Sequence, residues 1–554
     1  MVVILLPLIL MTSFQTSSSS PDTADLVFIN GKIWTVDSTR PLAEAVAIAG
    51  ERIVEAGSSE FIKGFIGPKT KVIDLKGRLM LPGFIDNHTH FVNGGFQLNS
   101  IDLRLARDEK EFSKLITAWA KQHPDRWITG GDWDHERWPG GNLPTKELID
   151  QFTPETPVFV NRLDGHMALA NSCALKLAGV TKNTTDPPGG TIVRDRVTGE
   201  PTGILKDNAM SLVYRIVPEP TEEDRLSAAR RALEEARRYG LTSIQDISSW
   251  EDVRVYQKLE KEGQLTTRVY CRVPISTWER LAKDGVKAPS GTEMLKLGSL
   301  KGFADGSLGS STALFFDPYV QDPTTRGLAT DIVLDGSLER WALSADRARL
   351  QLSIHAIGDS ANSWVLDLFD RILTKNPSWD RRFRIEHAQH IHPKDFERFA
   401  RLGVIASAQP YHTIDDGRWA EKRIGYGRCK TTYPFRTFLD RGVKLCFGSD
   451  WTVAPLSPLL GIHAAVTRQT IDGKSPGGWI PEQKVSVKEA ITCYTLNNAY
   501  AAYEESLKGS ITSGKLADLV VLSDDILSID PVKIQNTEVS FTVQGGKIVY
   551  QKLP

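Results

Sequence analysis

The hydrophobic and polar positions along this chain change rhythm twice. From Asp25 to about Leu81 they alternate in short stretches, "DLVFINGKIWTV", "AEAVAIAGERIVEAG" and "TKVIDLKGRLMLPG", broken by Asn-Gly and Ala-Gly-Glu turns. Period-two alternation rich in β-branched residues, between such turns, predicts strands. The far end repeats the style in "GSITSGKLADLVVLSDD" and "VSFTVQGGKIVYQ". One small β-sandwich assembled from both ends is therefore expected, from residues 23–80 and 500–554.

Between these ends, short apolar runs alternate with amphipathic stretches. Candidate strands cover residues 81–86, 241–247, 266–275, 298–305, 350–359, 383–389, 403–410 and 442–450. Residues 221–240 and 360–376 carry the helical period. Eight strands with intervening helices predict an α/β fold, a (β/α)8 TIM barrel over residues 81–499. The span from about Phe91 to Val217 is too long to connect strands one and two. It holds "DRWITGGDWDHERWPGGNLP" and "DPPGGTIVRDRVTGEPTG", read as a large insertion after strand 1 (about residues 95–215) and its hairpin.

Composition narrows the function. A chain of 554 residues exceeds one compact core, so two or more structural units are expected. Lys plus Arg number 67 against 68 Asp plus Glu, which leaves no electrostatic footprint for nucleic acid or an anionic membrane. A small-molecule substrate is the expected partner, with a homo-oligomer left open. The five cysteines form no C-x-x-C pair and no disulfide framework, and Cys271 and Cys446 lie in apolar runs. Val2 to Met11 is an apolar run followed by a Ser/Thr-rich stretch. It is too short to span a bilayer but suits a signal-peptide core, although no Lys or Arg precedes it and no A-x-A site follows. Residues 1–22 are thus expected to be a leader for export to the periplasm or the exterior, a cytoplasmic location staying open. No other segment is long and apolar enough to cross a membrane.

The candidate chemistry starts in "LPGFIDNHTHF", where His88 and His90 stand two residues apart. On a strand, positions i and i+2 share a face, so both imidazoles can aim at one point. Alone, the pair is weak evidence. Four further residues fall beside the candidate strands: Lys301 at the start of strand four in "LKGFADGSLGSST", His355 in "SIHAIGD", His387 in "RIEHAQH" and Asp450 in "CFGSDW". The C-terminal face of a parallel barrel is where active sites are built. Imidazoles with an oxygen anion suit a borderline divalent ion such as Zn2+, one or two of them, with a position open for water. Such water reaches a pKa of ~7 and becomes a nucleophile near neutral pH. Asp450 is the candidate acceptor of its proton.

These motifs, together with "PGFIDNHTH", "DGHMALANS", "KGFADGSLGSSTA", "GSDWTVAPLSPLLGIHAAVTR" and "GSITSGKLADLVVL", stand in one linked order. The chain resembles the amidohydrolase superfamily, specifically the amidohydrolase family 3 group that includes N-substituted formamide deformylase-like proteins. The resemblance covers nearly everything after residue 22. It implies a metal-dependent hydrolase acting on carbon–nitrogen bonds other than peptide bonds: an amide, an N-substituted formamide or a cyclic amide. Residue by residue, His88 and His90 match the H-x-H ligands, His355 and His387 the histidines of strands five and six, and Asp450 the strand-eight aspartate. Lys301 matches the lysine that is carboxylated in binuclear members to bridge two metals.

Other residues carry two readings each. His166 matches a recurring family histidine expected beside the substrate, or caps a helix start. His412 lies just past strand seven and is expected to line the pocket, as are Gln409 and Tyr411. His390 and His392 read as supporting or surface groups, and His123, His135 and His463 as structural. Asp305 and its neighbouring glycines read as turn formers. Trp127, Trp133 and Trp138 read as the core of the insertion or a lid wall. The same scaffold also leaves open an isomerase, an ester or phosphoester hydrolase, and a non-catalytic binding protein.

Overall fold

The protein is described here by a computed structural model covering residues 23–553 except 125 and 288. The expected leader lies outside these described residues.

Eight parallel strands pair in chain order: β1 (Phe84–Thr89), β2 (Leu241–Ile247), β3 (Arg268–Pro274), β4 (Leu295–Phe303), β5 (Gln351–Ala356), β6 (Arg384–His387), β7 (Ile405–Ala408) and β8 (Leu445–Phe447). Past β8 the chain returns to β1. The Asp450 N–H donates to the His88 carbonyl and the His90 N–H to that of Trp451, both at 2.7 Å, and Thr89 bridges Trp451. The TIM barrel expected from the alternation is therefore present.

Its strands are buried almost throughout, as both faces are covered. The helix Glu222–Arg238 illustrates the outer ring. Thr221 and Asp224 form a capping box at its start, and Leu226, Ala229, Leu233 and Ala236 make its buried face.

One element differs from expectation. β4 begins at Leu295, so Lys301 stands near its C-terminal end, on the side of the mouth. Leu295 to Leu297 pair with Val269 to Cys271, which extends the strand backwards. The alternation is masked at Gly298, where an added Cβ would meet the Tyr270 ring at 1.7 Å.

Both chain ends build the sandwich. One sheet runs Arg52–Gly57, Ala45–Ala49, Leu26–Ile29, Lys71–Asp74; the other runs Lys547–Gln551, Val539–Gln544, Leu519–Leu522, Leu79–Pro82, Lys32–Trp34, Leu42–Ala43. Phe28, Ile48, Met80, Leu519 and Val521 share one buried cluster. Leu79–Pro82 passes through Gly83 directly into β1, which fixes the sandwich to the barrel. A buried ion pair adds to that tie, Arg268 Nε to Asp518 Oδ2 at 2.8 Å.

Between β1 and β2 the insertion forms its own five-stranded sheet, in the order Gly190–Arg194, Pro201–Asp207, Met167–Ala170, Val158–Arg162, Ile128–Trp133. Trp133 and Trp138 belong to the core on one face. Trp127 packs at the edge of the core on the other. No described helix is long and apolar enough to cross a membrane.

Candidate metal centre at the barrel mouth

Six strand-end residues meet in one cavity of about 1220 Å3: His88, His90, Lys301, His355, His387 and Asp450. The Nε2 atoms of His88 and His90 each lie 3.4 Å from Asp450 Oδ1. The His387 ring centroid is 5.0 Å from that of His88 and 4.5 Å from that of His355. Lys301 is buried in the same wall, its Nζ 4.6 Å from the Phe303 ring centre.

The donor set fits a metal ion. His88, His90 and Asp450 bring ligand atoms within 4.8 Å of one another, and so do His387, His412 and Asp450. Three imidazoles are oriented through their other nitrogen. His88 Nδ1 lies 2.5 Å from Glu386 Oε2, His387 Nδ1 2.8 Å from Gln409 Oε1, and His355 Nε2 3.1 Å from the Gly306 carbonyl. Such outer partners fix tautomer and ring angle in histidine ligands. The buried Nε2 of His88 has no hydrogen-bond partner, nor has that of His412. Buried polar atoms in native structures rarely go unpaired, and a metal ion in each donor group would take up one of these two nitrogens.

Backbone strain concentrates here. His387, Ala388 and Asp450 have φ of 72°, 43° and 58°, in the left-handed region that non-glycine residues seldom occupy. At His387 this breaks strand alternation. Glu386 points into the barrel, yet His387 beside it still reaches the mouth.

Burial sets the charge states. It pushes the His88 and His355 imidazoles well below their ordinary pKa, and His387 down to about 3. Burial also brings the Lys301 amine down to about 7. Desolvation opposes ionisation of Asp450, but His88, His90 and His387 around it hold its carboxyl well below the usual range. Glu386 behaves alike. Burial would raise it, yet Arg272 Nη1 at 2.8 Å and Arg384 Nε at 3.0 Å hold it ionised.

The other candidates separate. His166, from the insertion, reaches the cavity beside His355, with ring centroids 5.2 Å apart, and its Nδ1 lies 2.7 Å from Asp207 Oδ1. His412 lines the cavity within ligand range of His387 and Asp450. Gln409 and Tyr411, expected in the wall, are not among the cavity-lining residues. Gln409 is spent on His387. Tyr411 precedes His412 on the helix Pro410–Asp416, about 100° around it, and so faces elsewhere. Asp305 does hold a turn. Its carboxylate accepts from the N–H groups of Leu314, Ile357 and Gly358 at 2.8 to 3.0 Å. Glu386 is the functional neighbour that the sequence reading passed over. Its signal was a charge two residues after Arg384 within a core strand.

A model of the amidohydrolase family matches residues 71–550. "Protein LONG AFTER FAR-RED 3" of Arabidopsis thaliana is 41% identical, over 95% of this chain and 92% of its own. The N-substituted formamide deformylase of Arthrobacter pascens is 26% identical, over 95% and 98%. Among solved structures, a metal-dependent hydrolase from Pyrococcus horikoshii superimposes with a TM-score of 0.74 at 29% identity, covering 91% of this chain and 99% of its own.

Proposed function

The chain belongs to the amidohydrolase family and is a metal-dependent hydrolase, and from that premise we propose that it cleaves the carbon–nitrogen bond of a small amide, an N-substituted formamide or a cyclic amide. The observation that carries this reading is the pair of donor groups sharing Asp450, with the unpartnered Nε2 of His88 facing it. The residues that would hold divalent metal are His88, His90 and Asp450 in one group and His355 and His387 in another, with Lys301, once carboxylated, as a further oxygen donor. His412 is a further donor available to the second group. A divalent ion bound there, Zn2+ in this proposal, would acidify water and polarise the substrate carbonyl.

The chain's own groups do the rest. Asp450, kept ionised, accepts the proton of the attacking water at its carboxylate and returns it to the departing nitrogen. The products are a carboxylic acid and an amine, carried on one ring-opened molecule when the amide is cyclic. Glu386, Gln409 and the Gly306 carbonyl hold three imidazoles in place, and the free Nε2 of His88 is left 3.4 Å from Asp450 Oδ1. His166 flanks the carbonyl site from the insertion, anchored by Asp207. Burial, which lowers the Lys301 pKa to about 7, favours the neutral amine, the form that adds carbon dioxide.

The test is a panel of amides, N-substituted formamides, cyclic amides, lactones and phosphoesters offered to zinc-loaded protein. Turnover of C–N substrates that stops with chelator and returns with zinc supports the reading. Turnover confined to lactones or phosphoesters contradicts it.

A further inference from the structure

The cavity extends beyond the metal centre to a wall supplied by the insertion, and one side chain there has no role in the hydrolysis just described. Asp132 lines the cavity and is 4% exposed. It sits in "GGDWD", on the strand Ile128–Trp133. Gly130, Gly131 and Asp132 have φ of 79°, 98° and 51°, three consecutive left-handed residues. The pairing register with the neighbouring strand slips nearby. Bulges of this kind re-aim a side chain next to active sites.

The Asp132 carboxylate is positioned but not neutralised. Its Oδ1 accepts from Asn161 Nδ2 at 2.6 Å, and its Oδ2 from Gln97, whose amide also donates to the Thr452 carbonyl. Both donors are uncharged. Among the described residues it makes no salt bridge, and the nearby Arg104 is already paired with Asp102, Nε to Oδ1 at 3.0 Å. Two other acids in the wall are matched by cations, Asp164 by Arg162 at 2.7 Å and Asp134 by Arg162 and Arg418, while Asp416, like Asp132, has only neutral donors among the described residues, Gln389 and Tyr433. A buried carboxylate without a cation is costly, and burial pushes Asp132 up to about 6. Aromatic rings stand in the same wall. Tyr214 is close enough for its phenol to feel the Asp132 charge, and Trp127 and Phe96 line the cavity with it.

We propose that the substrate is an amide that also bears a cationic amine, received by the Asp132 carboxylate against the aromatic wall that the insertion lends to the cavity. A carboxylate backed by aromatic faces selects an alkylammonium twice over, through a charge-assisted hydrogen bond and through attraction to the π faces. Gln97 links this subsite to the loop after Asp450, so the ammonium end and the scissile end of one molecule are held by connected groups. The proposal rests on the C–N hydrolase reading for the word amide, but its test needs no turnover.

The experiment is calorimetric titration of zinc-loaded protein with 3-phenylpropylammonium and, separately, with the neutral 3-phenylpropanol. The expected result is binding of the ammonium about tenfold or more tighter than the alcohol, the worth of a charge-assisted bond. That preference should vanish in Asp132→Asn. Equal affinity of the two probes overturns the proposal, and so does an ammonium preference retained in Asp132→Asn, as an amine held by the metal would give. Should Asp132→Asn fold poorly, Asp132→Gly suits the left-handed backbone and answers the same question. Ammonium binding with no amide hydrolysed would leave this subsite standing and remove the hydrolase reading instead.

Discussion

The Nδ1 of His88 lies 2.5 Å from Oε2 of Glu386, in a pocket where both side chains are almost fully buried. Glu386 also accepts from Ser353 and Ser407 and pairs with Arg272 and Arg384. One carboxylate thus pairs with two arginines in the barrel interior and aims the imidazole of β1. Glu386→Gln is expected to weaken zinc binding by about 10–100-fold, the usual effect of removing an outer partner of a ligand histidine. It should also lower folding stability by about 3–5 kcal/mol, because two buried cations lose their counter-ion. Zinc competition titration and chemical denaturation read the two effects separately.

Asp450→Asn keeps the shape at the shared corner of both donor groups and removes the base. Its kcat, expressed per bound zinc, is expected to fall by about 10²–10⁴-fold. Steady-state kinetics with metal analysis of the same sample checks this. A near wild-type rate per zinc would pass the role of base to another group, His166 being the first to test.

Lys301→Ala is expected to lose most of its metal, and short carboxylic acids added to the buffer should restore part of both metal and activity. In the wild type, intact mass under non-denaturing conditions should show the added mass of carbon dioxide on Lys301. Full metal occupancy in Lys301→Ala would mean that the lysine bridges nothing.

Gly448 follows β8 where the strand meets β1. A Cβ there would stand 2.4 Å from Asn87 Oδ1 and 2.6 Å from Asp86 Oδ1. Asp86 accepts from the N–H groups of His88 and Ser449 at 3.0 Å, so it joins the two strands that carry His88 and Asp450. Gly448→Ala is expected to cost about 1–3 kcal/mol by overpacking and to reduce zinc affinity by parting these ligands. Denaturation and zinc titration of this variant measure both.

What the chain reveals before folding follows from which interactions are local. β2 (Leu241–Ile247) and the helix Asp359–Lys375 were legible because their periods and flanking breakers lie within one segment. His88 and His90 were legible for the same reason. The placement of Glu386 was not, since it depends on Arg272, Ser353 and Ser407, contributed by three other strands. His387 reaches the mouth through its left-handed φ, which no alternation pattern announces. Gln409 sits one residue past a strand end, as pocket residues do, but the partner it found was His387. Around Asp132, the insertion declared itself by excess length and by one hairpin, while the left-handed turn that aims Asp132 is announced by no alternation pattern.

The central claim is that the strand-end residues hold metal, and anomalous diffraction at the zinc edge from crystals of zinc-loaded protein tests it most directly. The account predicts a peak at the barrel mouth about 2.0–2.1 Å from the Nε2 atoms of both His88 and His90 and in contact with Asp450, the spacing of zinc–imidazole bonds. Zinc-loaded crystals with no peak among these three residues, or with their only peak elsewhere on the molecule, would contradict it.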